Sequence, residues 1–265
     1  MNRIDKKLKA LKNSGSKAFI AYITAGDQGL TATGKLVLAL EGSGVDIVEL
    51  GIPFSDPLAD GPTIRAASQR ALDAGANIGR IFNLVRDLRR KTEIPIALMS
   101  YYNPVLKYGV GRFFKDCKSS GVDGVILPDL PYEESADIIS FARKTGTDTI
   151  FLCAPTSTRE RIKKIARNSR GFIYYISLTG VTGARKALSE DIAANINKIR
   201  SITDKPVAVG FGVSNAAQAA ALARISDGVI VGSAIVKIIA KGGKLMIKDV
   251  SLFAKKLSIA IHNAR

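Results

Sequence analysis

The segment Asp46-Ile-Val-Glu49-Leu-Gly-Ile-Pro-Phe-Ser-Asp-Pro-Leu-Ala-Asp60-Gly-Pro62 contains the pattern that decides the fold of this chain. A short apolar run is followed by a Pro-rich turn and then by an amphipathic stretch, 62–73, which together form one strand–turn–helix unit. The triplet Asp46-Ile-Val has echoes in Asp123-Gly-Val and Asp227-Gly-Val, each opening a strand after a helix. The echo indicates that one β/α unit is repeated.

Read outward from this segment, the chain alternates short apolar runs with longer helical segments. The runs are 18–23, 46–50, 94–100, 124–127, 149–153, 172–177, 206–209 and 228–231. The helical candidates are 31–41, 62–73, 78–90, 111–119, 133–144, 157–166, 191–202, 215–223, 234–240 and 247–261. Eight strands without alternating polar residues must be buried on both faces, as the strands of a parallel barrel are. The pattern predicts an α/β fold, a (β/α)8 TIM barrel with an extra N-terminal helix, and leaves a doubly wound open sheet as the alternative.

Some helix ends can be read directly. Ser157-x-x-Glu160 matches a capping box, while Gly121 and Gly146 stand where helices should stop. The length of 265 residues suits one large barrel, and no composition shift marks a boundary, so we expect a single domain over 1–265.

Composition excludes several classes of protein. The basic N-terminus is not a secretory signal, and no apolar run approaches the roughly 20 residues that cross a bilayer. Cys117 and Cys153 have neither metal nor redox spacing, so we expect reduced thiols and a cytoplasmic protein.

The net charge of +16 comes from 39 Lys and Arg against 23 acidic residues. These cations are dispersed among the helices without a nucleic-acid motif, which favours a solvated basic surface that steers small anions inward. The sequence gives no specific reason for so high a charge.

Two carboxylates in the opening segment are the candidate acids. Glu49 falls at the end of a buried strand, where an unpaired acid is costly, and Asp60 lies in the loop beyond. Unlike surroundings can separate the pKa values of two such groups for acid–base catalysis. Asp60 could instead be a helix cap before Gly61-Pro62. Asp129, between two prolines, could be catalytic but fits a turn better.

Three glycine-containing loops follow the last three strands. They are Thr179-Gly-Val-Thr-Gly183, Gly210-Phe-Gly212 and Gly232-Ser233, the last opening directly into a short helix. Barrel phosphate sites are built from loops at these strand ends plus such a helix, so the loops predict phosphate binding. The segment 179–189 is long enough to close over a substrate.

These residues resemble the α subunit of tryptophan synthase over essentially the whole chain. The most specific match is Leu50-Gly-Ile-Pro-Phe-Ser-Asp-Pro-Leu-Ala-Asp60-Gly-Pro62. Further matches are Ile64, Ala71-Leu72, Tyr101, Asn103-Pro104, Leu127-Pro-Asp-Leu-Pro-Tyr-Glu-Glu134, Ser177 through Gly183, Gly210-Phe-Gly212 and Gly232-Ser-Ala-Ile-Val236. The resemblance implies retro-aldol cleavage of indole-3-glycerol phosphate to indole and glyceraldehyde 3-phosphate, a lyase step of tryptophan biosynthesis without a metal or organic cofactor in this subunit.

The resemblance also implies residue roles. Glu49 would be the general acid and base, and Asp60 would bond the indole N–H. The phosphate would be held by Gly183, Gly212, Gly232 and Ser233, and the pocket would be lined by Tyr22, Ile64, Met99, Tyr101, Tyr175, Thr182 and Phe211, with Tyr175 next to Glu49. Tyr22 departs from the Phe that the resemblance leads us to expect, and we expect its hydroxyl to meet water at the rim.

A partner follows from the same resemblance. It would be a β subunit carrying pyridoxal phosphate (PLP), in an αββα heterotetramer, contacted by 53–60 and 101–104, with 179–189 closing over substrate. Three alternatives remain: another phosphate-binding barrel lyase or isomerase, a catalytically silent activator of the β subunit, and a nucleic-acid binder. The first would not need the segment 49–62, and retention of Glu49 and Asp60 argues against the second.

Overall fold

The computed structural model describes residues 2–176, 185–210 and 212–264, and the side chains of these residues except 185–190. The strands are β1 (Ala18–Thr24), β2 (Ile47–Gly51), β3 (Ile96–Met99), β4 (Gly124–Ile126), β5 (Asp148–Ile150), β6 (Leu152–Cys153), β7 (Ile173–Ile176), β8 (Val207–Gly210) and β9 (Gly228–Val231). The helices are α1 (Arg3–Asn13), α2 (Leu30–Gly42), α3 (Pro62–Asp73), α4 (Ile78–Leu88), α5 (Tyr102–Tyr108), α6 (Val110–Ser120), α7 (Ala136–Thr145), α8 (Arg159–Asn168), α9 (Arg185–Arg200), α10 (Ala216–Ile225), α11 (Ser233–Lys241) and α12 (Met246–His262), with a 3-10 turn at Tyr132–Glu134.

The strands form one parallel sheet that closes on itself. Its order is β5-β4-β3-β2-β1-β9-β8-β7-β6, and every recorded pairing is parallel. The two ends of this order, β5 and β6, are separated along the chain only by Phe151. The predicted fifth strand is therefore broken into two short strands, and the predicted (β/α)8 barrel is confirmed over the doubly wound open sheet.

Two apolar layers cover the strands. An outer layer packs between the strands and the helices, and an inner layer fills the barrel. Ile4 and Leu8 of α1 belong to the inner layer, together with strand residues such as Ile47 and Phe172. The extra N-terminal helix is thus present, and it closes the barrel floor at the N-terminal ends of the strands.

The repeated aspartates have a structural explanation. Each carboxylate accepts an N–H from the preceding strand in the barrel: Asp46 from Phe19, Asp123 from Ile96 and Asp227 from Val207, all at 2.9 Å. The backbone N–H of each aspartate donates to the same neighbouring strand. The repeated aspartate therefore makes the same two hydrogen bonds in three β/α units, each to the preceding strand at the floor of the barrel.

Some local predictions need correction. The N-cap of α8 is Thr158, whose side chain accepts from Arg161 N, so the predicted capping box at Ser157 is wrong by one residue. The helix α5 was not predicted, and α9 begins six residues before the predicted 191–202. Gly121 and Gly146 do end helices in the left-handed conformation, as predicted.

Among the residues described, no helix combines the length and apolarity that a membrane span requires.

Candidate active site

Glu49 is the most unusual residue at the C-terminal end of the barrel. Inward-facing side chains alternate along β2, so Ile47 lies in the inner apolar layer and Glu49 lies one level above it. Its side chain is fully buried, and neither carboxyl oxygen has a hydrogen-bond partner among the described residues. Burial, and secondarily the charge of Asp60, raise the pKa of Glu49 to about 8. Glu49 therefore holds a proton at neutral pH.

Asp60 faces Glu49 from the loop between β2 and α3. The helix α3 begins at Pro62 with Gly61 as its N-cap, and no side-chain bond caps it, so the helix-cap reading of Asp60 is wrong. Partial burial raises the pKa of Asp60, while the Tyr101 hydroxyl beside it opposes that shift. The two carboxyl groups thus differ in environment, since Glu49 is enclosed and unpartnered and Asp60 has a nearby donor.

The Asp60 loop is held by the segment before α5. The Ala59 N–H donates to the Tyr101 hydroxyl at 2.9 Å, and the Phe54 and Tyr101 rings pack with centroids 5.4 Å apart. The carboxylate of Asp129 accepts from the Tyr102 N–H at 3.0 Å, at the start of α5. Asp129 therefore fixes the position of Tyr101 through a backbone bond, in agreement with the structural reading of its turn.

Apolar side chains form a wall beside the acids. Tyr22, Ile64, Ala67 and Val236 make one buried cluster, and Met99 packs against it. Tyr22 is 8% exposed, and its ring lies over Gly51, where an added Cβ would come within 2.7 Å of Tyr22 Cζ. The expectation that the Tyr22 hydroxyl meets water at the rim is therefore wrong.

The prediction that Tyr175 lines the site next to Glu49 is wrong as well. Tyr175 belongs to the outer layer, between the strands and the helices, whereas Tyr174 belongs to the barrel interior. Burial raises the pKa of the Tyr174 phenol, and among neighbouring groups the charge of Glu49 adds most to this shift. Gly210 on the neighbouring strand makes room for Tyr174, because a Cβ there would lie 2.8 Å from its hydroxyl. That glycine was the one sequence signal that could have indicated Tyr174.

Two of the glycine loops lie at the same end of the barrel. Gly232 is the N-cap of α11, and no side chain caps the helix, which leaves the first N–H groups from Ser233 onward available to an anion. Gly212 is exposed and follows β8. The remaining predicted residues of the phosphate site and pocket, Gly183, Thr182 and Phe211, lie outside the described residues, as does most of 179–189.

This arrangement can perform acid–base chemistry on a phosphorylated substrate. Two carboxyl groups in unlike surroundings face a partly apolar pocket, and an uncapped helix N-terminus lies across it. The neutral Glu49 can deliver a proton to carbon, while a carboxylate at Asp60 could stabilise positive charge.

Comparisons with known proteins agree with one another. Residues 8–262 match the family model described as tryptophan synthase alpha chain. The chain is 51% identical over 259 residues to the tryptophan synthase alpha chain of Thermoanaerobacter sp. (strain X514), covering 97% of this chain and 98% of the relative. It is 48% identical over 264 residues to that of Geobacter sulfurreducens, covering 99% of this chain and 100% of the relative.

Solved structures give the same result. The tryptophan synthase subunit alpha from Legionella pneumophila str. Paris superposes with a TM-score of 0.92 at 37% identity, covering 98% of each chain. A chain of the tryptophan synthase from M. tuberculosis, in an aminoacrylate-bound form, superposes with a TM-score of 0.88 at 33% identity, covering 99% of this chain and 100% of that one.

Proposed function

Because this chain belongs to the tryptophan synthase alpha chain family, we propose that Glu49 and Asp60 carry out in it the alpha reaction of that family. That reaction is the lyase step of tryptophan biosynthesis, the retro-aldol cleavage of indole-3-glycerol phosphate to indole and glyceraldehyde 3-phosphate. The observation that carries the proposal is the enclosed, unpartnered Glu49 carboxyl, which holds a proton at neutral pH opposite Asp60.

Glu49 handles both protons of the reaction. Its neutral carboxyl protonates the indole ring carbon that bears the side chain, which leaves the ring nitrogen positively charged. The resulting carboxylate then takes the proton of the adjacent glycerol hydroxyl as the C–C bond breaks, and the bonding electrons return to the ring. An aldehyde and indole leave, and Glu49 is again protonated. A pKa near neutrality suits a group that must give and regain a proton in one turnover.

Asp60 stabilises the charged intermediate. Its carboxylate accepts a hydrogen bond from the indole N–H, and the bond strengthens as positive charge develops on the ring. Its partly exposed position and its Tyr101 neighbour support an ionised role.

The remaining predicted residues bind substrate. Tyr22, Ile64, Met99 and Tyr101 contact the indole and glycerol parts, with Tyr174 in the role first given to Tyr175. The sequence adds Thr182 and Phe211 to this pocket. The phosphate rests on the backbone of Gly212, Gly232 and Ser233, with Gly183 completing the site, and the uncapped start of α11 supports the anion.

The family needs no cofactor of its own, and it implies a β-subunit partner. We assign PLP to that partner and an αββα stoichiometry to the complex. The exposed apolar side chains on this rim support a docking surface: Leu58 in the Asp60 loop is 87% exposed, and Leu106 on α5 is 54% exposed. Both fall in or next to the segments 53–60 and 101–104.

The proposal extends to the whole chain. Residues 1–265 form one domain, supported by the family match over 8–262 and the single closed sheet. The chain works in the cytoplasm, supported by two buried cysteines that carry no disulfide.

The proposal is tested by measuring indole release from indole-3-glycerol phosphate, with and without a β subunit. Glu49→Gln should lower kcat by at least about a hundredfold, the usual contribution of a general acid or base. Asp60→Asn should also lower kcat by at least about a hundredfold, the usual effect of removing one group that stabilises charge in the transition state. Phosphate affinity should remain, and Tyr175→Phe, outside the pocket, serves as the matched control. A parent chain that releases no indole but raises β-subunit activity supports the silent-activator alternative. A parent that does neither contradicts the proposal.

The partner surface has its own test. Leu58→Asp should weaken binding to the β subunit without changing indole release by the isolated chain, since Leu58 is exposed and lies outside the buried wall. Leu245→Asp is the matched control, because Leu245 is 62% exposed at the start of α12. Equal loss of binding in both variants would argue against this surface.

A further inference from the structure

The turn that carries Asp60 has a single backbone attachment to the rest of the barrel. Within it, the Asp60 N–H donates to the Pro57 carbonyl at 3.0 Å, which closes a four-residue turn. Between described residues, the only recorded hydrogen bond from the backbone of 53–60 to another segment runs from the Ala59 N–H to the Tyr101 hydroxyl, at 2.9 Å. Ala59 itself is exposed, so packing contributes little to its position. The peptide next to Asp60 is therefore anchored by one phenol.

Tyr101 is held firmly enough to act as that anchor. It is buried, and its ring packs on Phe54 with the centroids 5.4 Å apart. Both oxygens of the Asp129 carboxylate lie 3.0 Å from the Tyr102 N–H, which fixes the chain at the residue after Tyr101. Asp129 lies in a turn bounded by two prolines, whose fixed φ limits the movement of the carboxylate's own backbone. Three successive loops, after β2, β3 and β4, are thus bonded to one another in series.

We propose that Tyr101 is a positioning residue for Asp60, which holds the turn 57–60 through its hydroxyl while Asp129 holds the backbone beside it. This role rests on the proposed function, in which Asp60 stabilises a charge that exists only while the indole ring is protonated. A carboxylate stabilises such a charge best when it is already in place, because reorganisation during the step would reduce its effect. Misplacement by about 1 Å can cost on the order of a hundredfold in rate. The Tyr101 hydroxyl therefore contributes to kcat without itself exchanging a proton.

The ring and the hydroxyl of Tyr101 have separate tasks. The ring packs on Phe54 and lines the pocket, whereas the hydroxyl bonds to Ala59, so Tyr101→Phe removes only the second. Tyr108, the last residue of α5, offers a matched control. Its hydroxyl donates to Asp116 Oδ2 at 2.6 Å, and its ring packs among phenylalanines of the outer layer. Tyr108→Phe thus removes one bonded hydroxyl from the same helix and leaves the anchor of the Asp60 turn in place.

The first test measures kcat and KM for indole release by the full-length chain. Tyr101→Phe should lower kcat about fivefold, the effect of losing one hydrogen bond of ordinary strength, and should change KM by less than about twofold because the ring remains. Tyr108→Phe should match the parent in both constants. Asp129→Ala should also lower kcat, and Asp129→Asn, which keeps an acceptor oxygen for the Tyr102 N–H, should restore it. A kcat unchanged in Tyr101→Phe would overturn the proposal.

A double-mutant cycle separates action through Asp60 from a direct contact with the substrate. In the Asp60→Asn background, Tyr101→Phe should change kcat by less than about twofold, because the carboxylate that the hydroxyl positions is already gone. A loss of about fivefold in both backgrounds would show that the hydroxyl acts on the substrate directly, and would refute the positioning role.

Hydrogen exchange gives a readout that needs no turnover. The Ala59 amide should exchange about fivefold faster in Tyr101→Phe than in the parent, since its one bond is lost, and at the parent's rate in Tyr108→Phe. An Ala59 exchange rate that Tyr101→Phe leaves unchanged counts against the anchor. If the parent releases no indole, the proposed function fails, and the exchange rates alone decide whether Tyr101 holds the turn.

Discussion

Replacing Glu49 with Gln should make the stability of the protein less dependent on pH, in a way that follows from burial. The ordinary pKa of the carboxyl is 4.5, and in the folded protein it is about 8. The folded state therefore binds this proton more tightly than the unfolded state, and between these two pH values it carries more protons. Stability consequently falls as pH rises from about 4.5 to about 8 and is level beyond, since both states are then ionised.

The magnitude follows from the same two values. Each pH unit between them corresponds to about 1.4 kcal/mol, so the parent should lose on the order of 5 kcal/mol from this group. Glu49 is fully buried, so solvent screening does not reduce the figure. Gln cannot ionise, and its unpartnered amide adds a cost that is the same at every pH. The unfolding free energy of Glu49→Gln minus that of the parent should therefore rise by about 5 kcal/mol between pH 4.5 and pH 8.

Urea unfolding of both proteins from pH 4.5 to pH 9, followed by circular dichroism, measures this difference. Other titrating groups are common to the two proteins and cancel to first order. Glu160→Gln is the control, since Glu160 is an exposed surface acid in the first turn of α8. A difference between Glu49→Gln and the parent that stays constant across the range would refute the reasoning.

Three further predictions concern other parts of the barrel. Among the described residues the buried Asp148 carboxyl has no hydrogen-bond partner, Arg170 lies 3.5 Å away, and burial raises the pKa of Asp148 to about 7. In urea unfolding, Asp148→Asn should therefore lose less stability than the parent between pH 4 and pH 8, by up to about 4 kcal/mol. Gly51→Ala should destabilise the protein by about 1–3 kcal/mol and lower kcat/KM for indole release, because the added Cβ meets the Tyr22 ring. Gly42→Ala should do neither, because a Cβ at Gly42 would have no described atom within 4 Å outside its own helix and chain neighbours. Ile4→Ala should cost about 3 kcal/mol in chemical unfolding by opening a cavity in the barrel floor, and an equal loss in the exposed Lys9→Ala would show that the floor is not involved.

The order of elements could be predicted because its signals are local. Apolar runs, helical periodicity and terminal glycines are read within a few residues, and Gly121 and Gly146 end their helices as expected. The helix α5 escaped prediction because Asn103-Pro104 reads as a turn, while the group that anchors its start, Asp129, lies 27 residues away. Contacts of that separation leave no periodic trace in a sequence.

The positions of Glu49 and Asp60 could be inferred from the sequence. The sequence did not show which of Tyr174 and Tyr175 points into the barrel. On β7 both faces are apolar, since one packs on helices and the other fills the barrel, so no alternation distinguishes Tyr174 from Tyr175. Only the register of neighbouring strands decides which ring points inward. The resemblance carried the role of a site tyrosine to the wrong one of two adjacent residues for this reason.

The floor of the barrel has a consequence for how the chain is made. Ile4 of α1 lies against Gly124 and Gly171, and β1 pairs with β9, so α1 and β1 have native partners that are synthesised more than a hundred residues after them. Until β9 emerges, Ile4 and Leu8 have no barrel to enter and expose an apolar face to the cell. The helix α1 is thus translated well before the strands it packs against, and chaperones that shield nascent chains should engage it during that interval.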